Sequence, residues 1–256
     1  MTQKRKDMPH AHPLDVKGAA SEKRWQQSRH DLFQPVPISI AFVAISTGGK
    51  TSQMLTVANA ILPIMERVVI FSHSHRLDPA YIDLKDKLKE KSLRRGETPD
   101  TNPFVYDSLI HLPKVLNAQR ERVQEAKDTG TKANIPQLLI ILDDMLGEMN
   151  HSKVLDSVIT RGPHYGVSVL ASTQVYRGLS SSMRKNFAAW AIGRLPMIDY
   201  KAFEEEHSGT YVSKEQLREM YDRAVSEPYG FLFYKPRTGD PENMFYSKFT
   251  TRLIPS

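Results

Sequence analysis

Three short stretches hold residue types that could grip and cleave a nucleoside triphosphate. The first is Ala44-Ile45-Ser46-Thr47-Gly48-Gly49-Lys50-Thr51, followed by Ser52. It meets the phosphate-cradling template G-x-x-x-x-G-K-[ST] except at the first position, where Ala44 replaces glycine. Gly48 and Gly49 let backbone N–H groups close around phosphate oxygens, with Ser46, Thr47 and Ser52 completing the cradle. Lys50 is placed to set its ammonium against the β- and γ-phosphates, and Thr51 offers a hydroxyl to Mg²⁺. Ala44 requires only that its corner be reached without a positive φ. Thr47 stands where another glycine is common and predicts a stiffer loop. The second stretch is Asp143-Asp144, at the end of the apolar run 138–142. A carboxylate at the tip of a parallel strand faces the ligand crevice. Asp143 is the candidate for Mg²⁺, directly or through water, and Asp144 for the general base, with Glu148 as a weaker alternative. The third is Ser172-Thr173-Gln174, where the Gln174 amide could sense the γ-phosphate or hold the attacking water.

These residues need a scaffold. Residues 38–45 ("ISIAFVAI") form a continuous apolar run, the mark of a strand buried on both faces. Residues 50–66 follow with Met54, Val57, Ala58, Ile61 and Leu62 at helical spacing, so the glycine turn opens a helix whose positive end faces the anion. Further strands are expected at 68–74, 137–145, 166–174 and 187–195. Helices are expected near 79–95, 112–128, 150–162, 198–207 and 213–225. Residues 229–235 and 243–249 flank a turn-rich 236–242 and read as a terminal antiparallel hairpin. Strands alternating with helices give an α/β fold: a mainly parallel sheet with helices on both faces. One domain over 34–256 is expected, preceded by a loosely ordered basic arm over 1–33.

The bulk composition agrees. The chain has 256 residues, no cysteine and a net charge of +6. It therefore has no disulfide framework or thiolate metal site, and its charge favours a polyanionic partner. No signal peptide or membrane-spanning run is expected. His73 and His75 read as part of a polar loop rather than a metal site. Residues 85–95 carry six basic side chains against two acidic. They could meet DNA phosphates, although their alternating signs suit a solvated helix face. The loop 234–240 is a second basic candidate.

Residues 161–195, together with the glycine loop and the Asp-Asp tip, resemble the FtsK–HerA superfamily of DNA-pumping P-loop ATPases. Within it they are most similar to the packaging ATPases of large eukaryotic DNA viruses. The resemblance covers about residues 37–195. It implies an ATP-fuelled ring, commonly of six subunits with five as the alternative, that threads double-stranded DNA into a capsid. Capsid components would then be partners, and the host cytoplasm, viral factory or virion the location. It further implies a site completed by a neighbour's arginine, with Arg161 and Arg184 as candidates ahead of Arg177 and Arg194. The rivals are a cellular-type translocase or helicase, a nucleotide kinase, and a nucleotide-binding switch with negligible turnover.

Overall fold

The computed structural model describes residues 31–33, 36–76, 78–96, 104–130, 135–145, 148, 152–209 and 211–255. Most of the predicted basic arm, residues 1–30, lies outside them. At the end of that stretch Leu32 and Phe33 are buried, with the Phe33 ring edge-on to Phe233 and Phe249.

Nine strands form one sheet: β1 (Ser39–Val43), β2 (Arg67–Ser72), β3 (Val105–Tyr106), β4 (Leu138–Asp143), β5 (Val167–Thr173), β6 (Ala189–Ile192), β7 (Leu232–Tyr234), β8 (Phe245–Ser247) and β9 (Thr251–Leu253). Their order is β3-β2-β4-β5-β1-β6-β7-β8-β9. Every pairing from β3 to β6 is parallel, and those from β6 to β9 are antiparallel. The expected hairpin is β7–β8. β9 extends it, and β3 adds a short strand at the other edge; neither was expected. Residue 229 falls outside β7, because Pro228 and a positive φ at Tyr229 make a turn of the predicted strand start.

The helices are α1 (Lys50–Ile61), α2 (Tyr81–Leu93), α3 (Leu112–Asp128), α4 (Lys153–Arg161), α5 (Ser181–Asn186), α6 (Met197–His207) and α7 (Lys214–Ala224). Each inner strand sends alternate side chains to two apolar layers, the expected period of two. Ile40 and Phe42 of β1 meet Met54, Val57, Ala58 and Ile61 of α1, with Leu84 and Leu88 of α2. Ala41 and Val43 face the layer built with α3, α4, α6 and α7. Pro63 ends α1 in a 3-10 turn, where a continuing helix would lose a hydrogen bond. No helix among the described residues is long and apolar enough to cross a membrane.

His207, at the end of α6, packs among the rings of Trp190, Phe203 and Tyr234. Tyr176 donates its hydroxyl proton to Glu206 at 2.7 Å, so in the 3.1 Å contact with His207 it is Nε2 that carries the proton and donates. Burial pushes the His207 pKa down to about 4, the Glu206 carboxylate opposing and Arg184 reinforcing the shift. The unfolded ring titrates near its ordinary value, so between about pH 6.5 and pH 4 the unfolded chain takes a proton that the folded one refuses. Stability is therefore lost as pH falls through this window, by up to about 3 kcal/mol. Urea denaturation of His207→Phe and the wild type at pH 7 and at pH 4.5 should show the variant losing less stability on acidification. Equal losses would remove His207 as the cause.

Candidate active site

The site is built at the carboxyl ends of the parallel strands. The chain leaves β1 at Ala44, which is buried and does not take a positive φ. Thr47 does, at 60°, an uncommon conformation for a β-branched residue, so the loop carries backbone strain where glycine would carry none. Gly49 caps α1 at φ 78° with no side-chain hydrogen bond. The first N–H groups of α1 thus have no side-chain cap competing with an anion. A side chain at Gly49 would also crowd Tyr229, whose Cδ1 lies 3.3 Å from where its Cβ would stand.

Lys50 is buried, and its Nζ donates to the Ile45 carbonyl at 3.0 Å. Burial lowers its pKa, while Asp144 and then Asp143 pull it back up. Lys50 therefore sits within the field of both aspartates. Thr51 Oγ1 donates to Asp143 at 3.1 Å (Oδ2), with Oδ1 at 3.4 Å. This contact crosses a whole strand, because β5 lies between β1 and β4 and places the two strand ends about 10 Å apart. Ser172, on that intervening strand, donates to Asp143 Oδ1 at 2.5 Å and accepts the Asp144 N–H at 3.1 Å. Tyr81, the first residue of α2, donates to Asp143 Oδ2 at 2.7 Å. Asp143 is 2% exposed, so three hydroxyls solvate a carboxylate that water does not reach.

Asp144 turns away at φ 54°, a conformation aspartate tolerates, and is exposed. Gln174 Nε2 donates to its Oδ1 at 3.3 Å. Glu148 is committed elsewhere: its Oε2 accepts from Ser108 Oγ at 2.9 Å and from Leu109 N at 2.8 Å, and His73 lies 3.5 Å from its Oε1. His75 contacts Asp107 at 3.1 Å.

The two arginine candidates are placed differently. Arg161 ends α4 just before β5, hence at the amino ends of the parallel strands, opposite the glycine loop, and it is exposed. Arg184 is engaged within its own chain: Nε and Nη2 meet the Glu206 carboxylate at 2.7–3.0 Å, and Nη1 donates to the Leu179 carbonyl at 2.5 Å. Arg194 holds the carbonyls of Val225 and Ser226 at 3.1 and 3.3 Å beside the glycine loop. Most α2 cations also have partners. Lys87, Lys89 and Arg94 pair with acids on their own helix, Lys85 holds the His75 carbonyl, and Lys91 the carbonyls of Leu62 and Met65.

The sequence reading missed Tyr81 and Tyr229, and it assigned Ser172 no contact with Asp143. It did mark the Ser-Thr-Gln strand end on which Ser172 sits.

No protein-family model matches the chain, and no curated protein matches it in sequence. Solved structures do. B204, the DNA-packaging ATPase from Sulfolobus turreted icosahedral virus, matches at a TM-score of 0.55 and 14% identity, over 82% of this chain and 96% of that one. The genome-packaging NTPase B204 of Sulfolobus turreted icosahedral virus 2, in complex with ATP-γS, gives 0.52 and 14% over 86% and 98%. EssC (ATPases 2 and 3) from Geobacillus thermodenitrificans gives 0.50 and 15% over 85% of this chain and 39% of that one. This chain therefore shares its fold with these NTPases: a mostly parallel sheet flanked by helices, with antiparallel strands at its C-terminal end.

Proposed function

We propose that the chain is an ATPase that moves double-stranded DNA, with packaging of a viral genome as its setting. The observation that carries this reading is the Thr51–Asp143 hydrogen bond across β5, which brings the glycine loop and the acidic strand to one point. A hydroxyl and a carboxylate are both hard oxygen donors, a set that fits Mg²⁺, which takes its remaining ligands from phosphate and water. Thr51 and Asp143 would hold that ion, and when bound with ATP it supplies charge neutralisation at the β- and γ-phosphate oxygens.

The chain's own groups do the rest. The backbone from Ala44 to Ser52 cradles the phosphates, and Lys50 meets their charge. Asp144 takes the proton of the attacking water, whose oxygen bonds to the γ-phosphorus as the bond to the bridging oxygen breaks, releasing ADP and phosphate. Gln174 orients Asp144. Asp144 suits the base role better than Glu148, whose carboxylate is capping the turn at Leu109. Arg161 suits the role of trans arginine better than Arg184. It is exposed at the amino ends of the strands, away from its own loop, and so is available to a neighbour, whereas Arg184 would first have to leave a bidentate ion pair. A ring of such subunits follows, gripping DNA through its phosphates and so blind to sequence.

Steady-state ATP hydrolysis with and without duplex DNA tests this. Turnover should rise several-fold with duplex of any sequence, as expected for phosphate contacts, and the rise should fade with added salt. Mass measurement with an ATP analogue should give a ring. Absence of hydrolysis, or hydrolysis only with a nucleoside acceptor, would overturn the proposal. The likeness to EssC favours a cellular-type translocase as the second reading. Unwinding of forked over blunt duplexes would move the protein to the helicase class.

A further inference from the structure

We infer that Tyr229 is the stacking wall for the purine base of the bound nucleotide, an inference that rests on the ATP reading above. Glu227-Pro228-Tyr229-Gly230 is a tight turn, closed by the Gly230 N–H donating to the Glu227 carbonyl at 3.1 Å. Proline fills its second position, and the third has φ 57°. Glycine or asparagine is the low-energy residue at such a corner, and a bulky aromatic is strained there. Core packing does not account for the tyrosine, because it is 69% exposed. No hydrogen bond or ring contact holds it among the described residues.

What the ring does touch is the phosphate loop. Its Cδ1 lies 3.3 Å from the Cβ position of Gly49, so the ring rests where that glycine leaves room. With Pro228 and Arg194 it walls a cavity of about 240 Å³ whose floor is Ser46, Thr47 and Gly48. A base seated on the ring therefore belongs to the nucleotide whose phosphates those residues cradle.

The wall is also fixed in place. Arg194 bonds the carbonyls of Val225 and Ser226, just before the turn, while its own carbonyl accepts the Ile45 N–H at 3.0 Å. One residue thus ties the turn to the loop. Lys248 pairs with Glu227 at 2.9 Å. Beneath the turn, a Cβ on Gly230 would lie 2.3 Å from the Ala224 carbonyl, so the backbone has no room to shift inward. An aromatic face held this way is ordered before the ligand arrives and loses little entropy on binding.

Calorimetric titration of the full chain with ATP and with inorganic tripolyphosphate separates base from phosphate binding. Tyr229→Gly should weaken ATP by about tenfold to a hundredfold, the size of one base–aromatic stack, and leave tripolyphosphate within about twofold. Tyr229→Phe should keep both affinities. The melting temperature of Tyr229→Gly should not fall, since glycine relieves the corner. Unchanged ATP affinity in Tyr229→Gly would overturn the inference. So would equal losses of both ligands, which would make the ring a prop for the loop, or a loss of subunit assembly with nucleotide affinity intact. A wild type that binds tripolyphosphate but not ATP would overturn the base wall alone. One that binds neither would overturn the ATP reading beneath it.

Discussion

Lys50→Ala is expected to lower ATP turnover by about a hundredfold to a thousandfold, the usual cost of removing one preorganised charge donor, without lowering the melting temperature. The two halves of that result come from one fact. Lys50 is a buried cation whose pKa is held down by desolvation, so the folded state disfavours its charge relative to the unfolded chain. Asp144 and Asp143 offset part of this cost. Removing the ammonium removes the cost, and it orphans no acceptor: the Ile45 carbonyl it bonds also accepts the Gly48 N–H at 3.2 Å. A cation whose charge the fold disfavours, set between a glycine loop and two carboxylates, is what the proposed triphosphate site calls for. Turnover and thermal melting of the one variant check both halves. Wild-type turnover would reduce the Gly-Gly-Lys-Thr turn to a strand–helix connection. A collapse in melting temperature would make Lys50 a structural cation.

How far the sequence foretold this arrangement depends on the range of each interaction. β1 and β4 were legible because a strand buried on both faces must be apolar throughout, and five or six such residues in a row leave a clear pattern. α1 was legible because Met54, Val57, Ala58 and Ile61 must all face the sheet. β3 was not, because two residues cannot display a period; it exists by pairing with β2 at Ile70 and Phe71. Strand order is likewise absent from local pattern. Nothing in residues 167–173 says that β5 lies between β1 and β4, yet that placement sets the gap across which Thr51 meets Asp143. Tyr81 stands 62 positions before Asp143, and Glu206 stands 22 after Arg184. Such partners appear only once the chain has folded. Tyr229 differs: Pro-Tyr-Gly is a local turn signal, but the apolar run after it drew the expected strand back over the turn.

That crossing between strands makes Asp143→Asn the second large expected effect, and here stability and activity should fall together. Asp143 accepts three hydroxyl protons, from Thr51, Tyr81 and Ser172, in a place with almost no water. Ser172 could accept the new amide N–H beside that of Asp144, but its own hydroxyl proton, now donated to Asp143, would then lose its acceptor. An amide in place of one carboxylate oxygen turns a donor against these donors and leaves at least one hydroxyl without an acceptor. About 1–3 kcal/mol of stability should be lost, the penalty for an unsatisfied buried polar group. Turnover should drop by about a hundredfold or more, because the same substitution removes the negative charge proposed to hold Mg²⁺. The Mg²⁺ concentration needed for half-maximal rate should also rise. Tyr81→Phe separates the two losses. It keeps the charge and removes one donor, so it should cost about 1 kcal/mol while preserving most of the turnover. Denaturant unfolding and Mg²⁺ titration of the ATPase rate measure both. If Asp143→Asn and Tyr81→Phe lose stability alike and both hydrolyse ATP at the wild-type rate, the carboxylate is only the anchor that joins α1, α2 and β5, and the triphosphate must bind elsewhere.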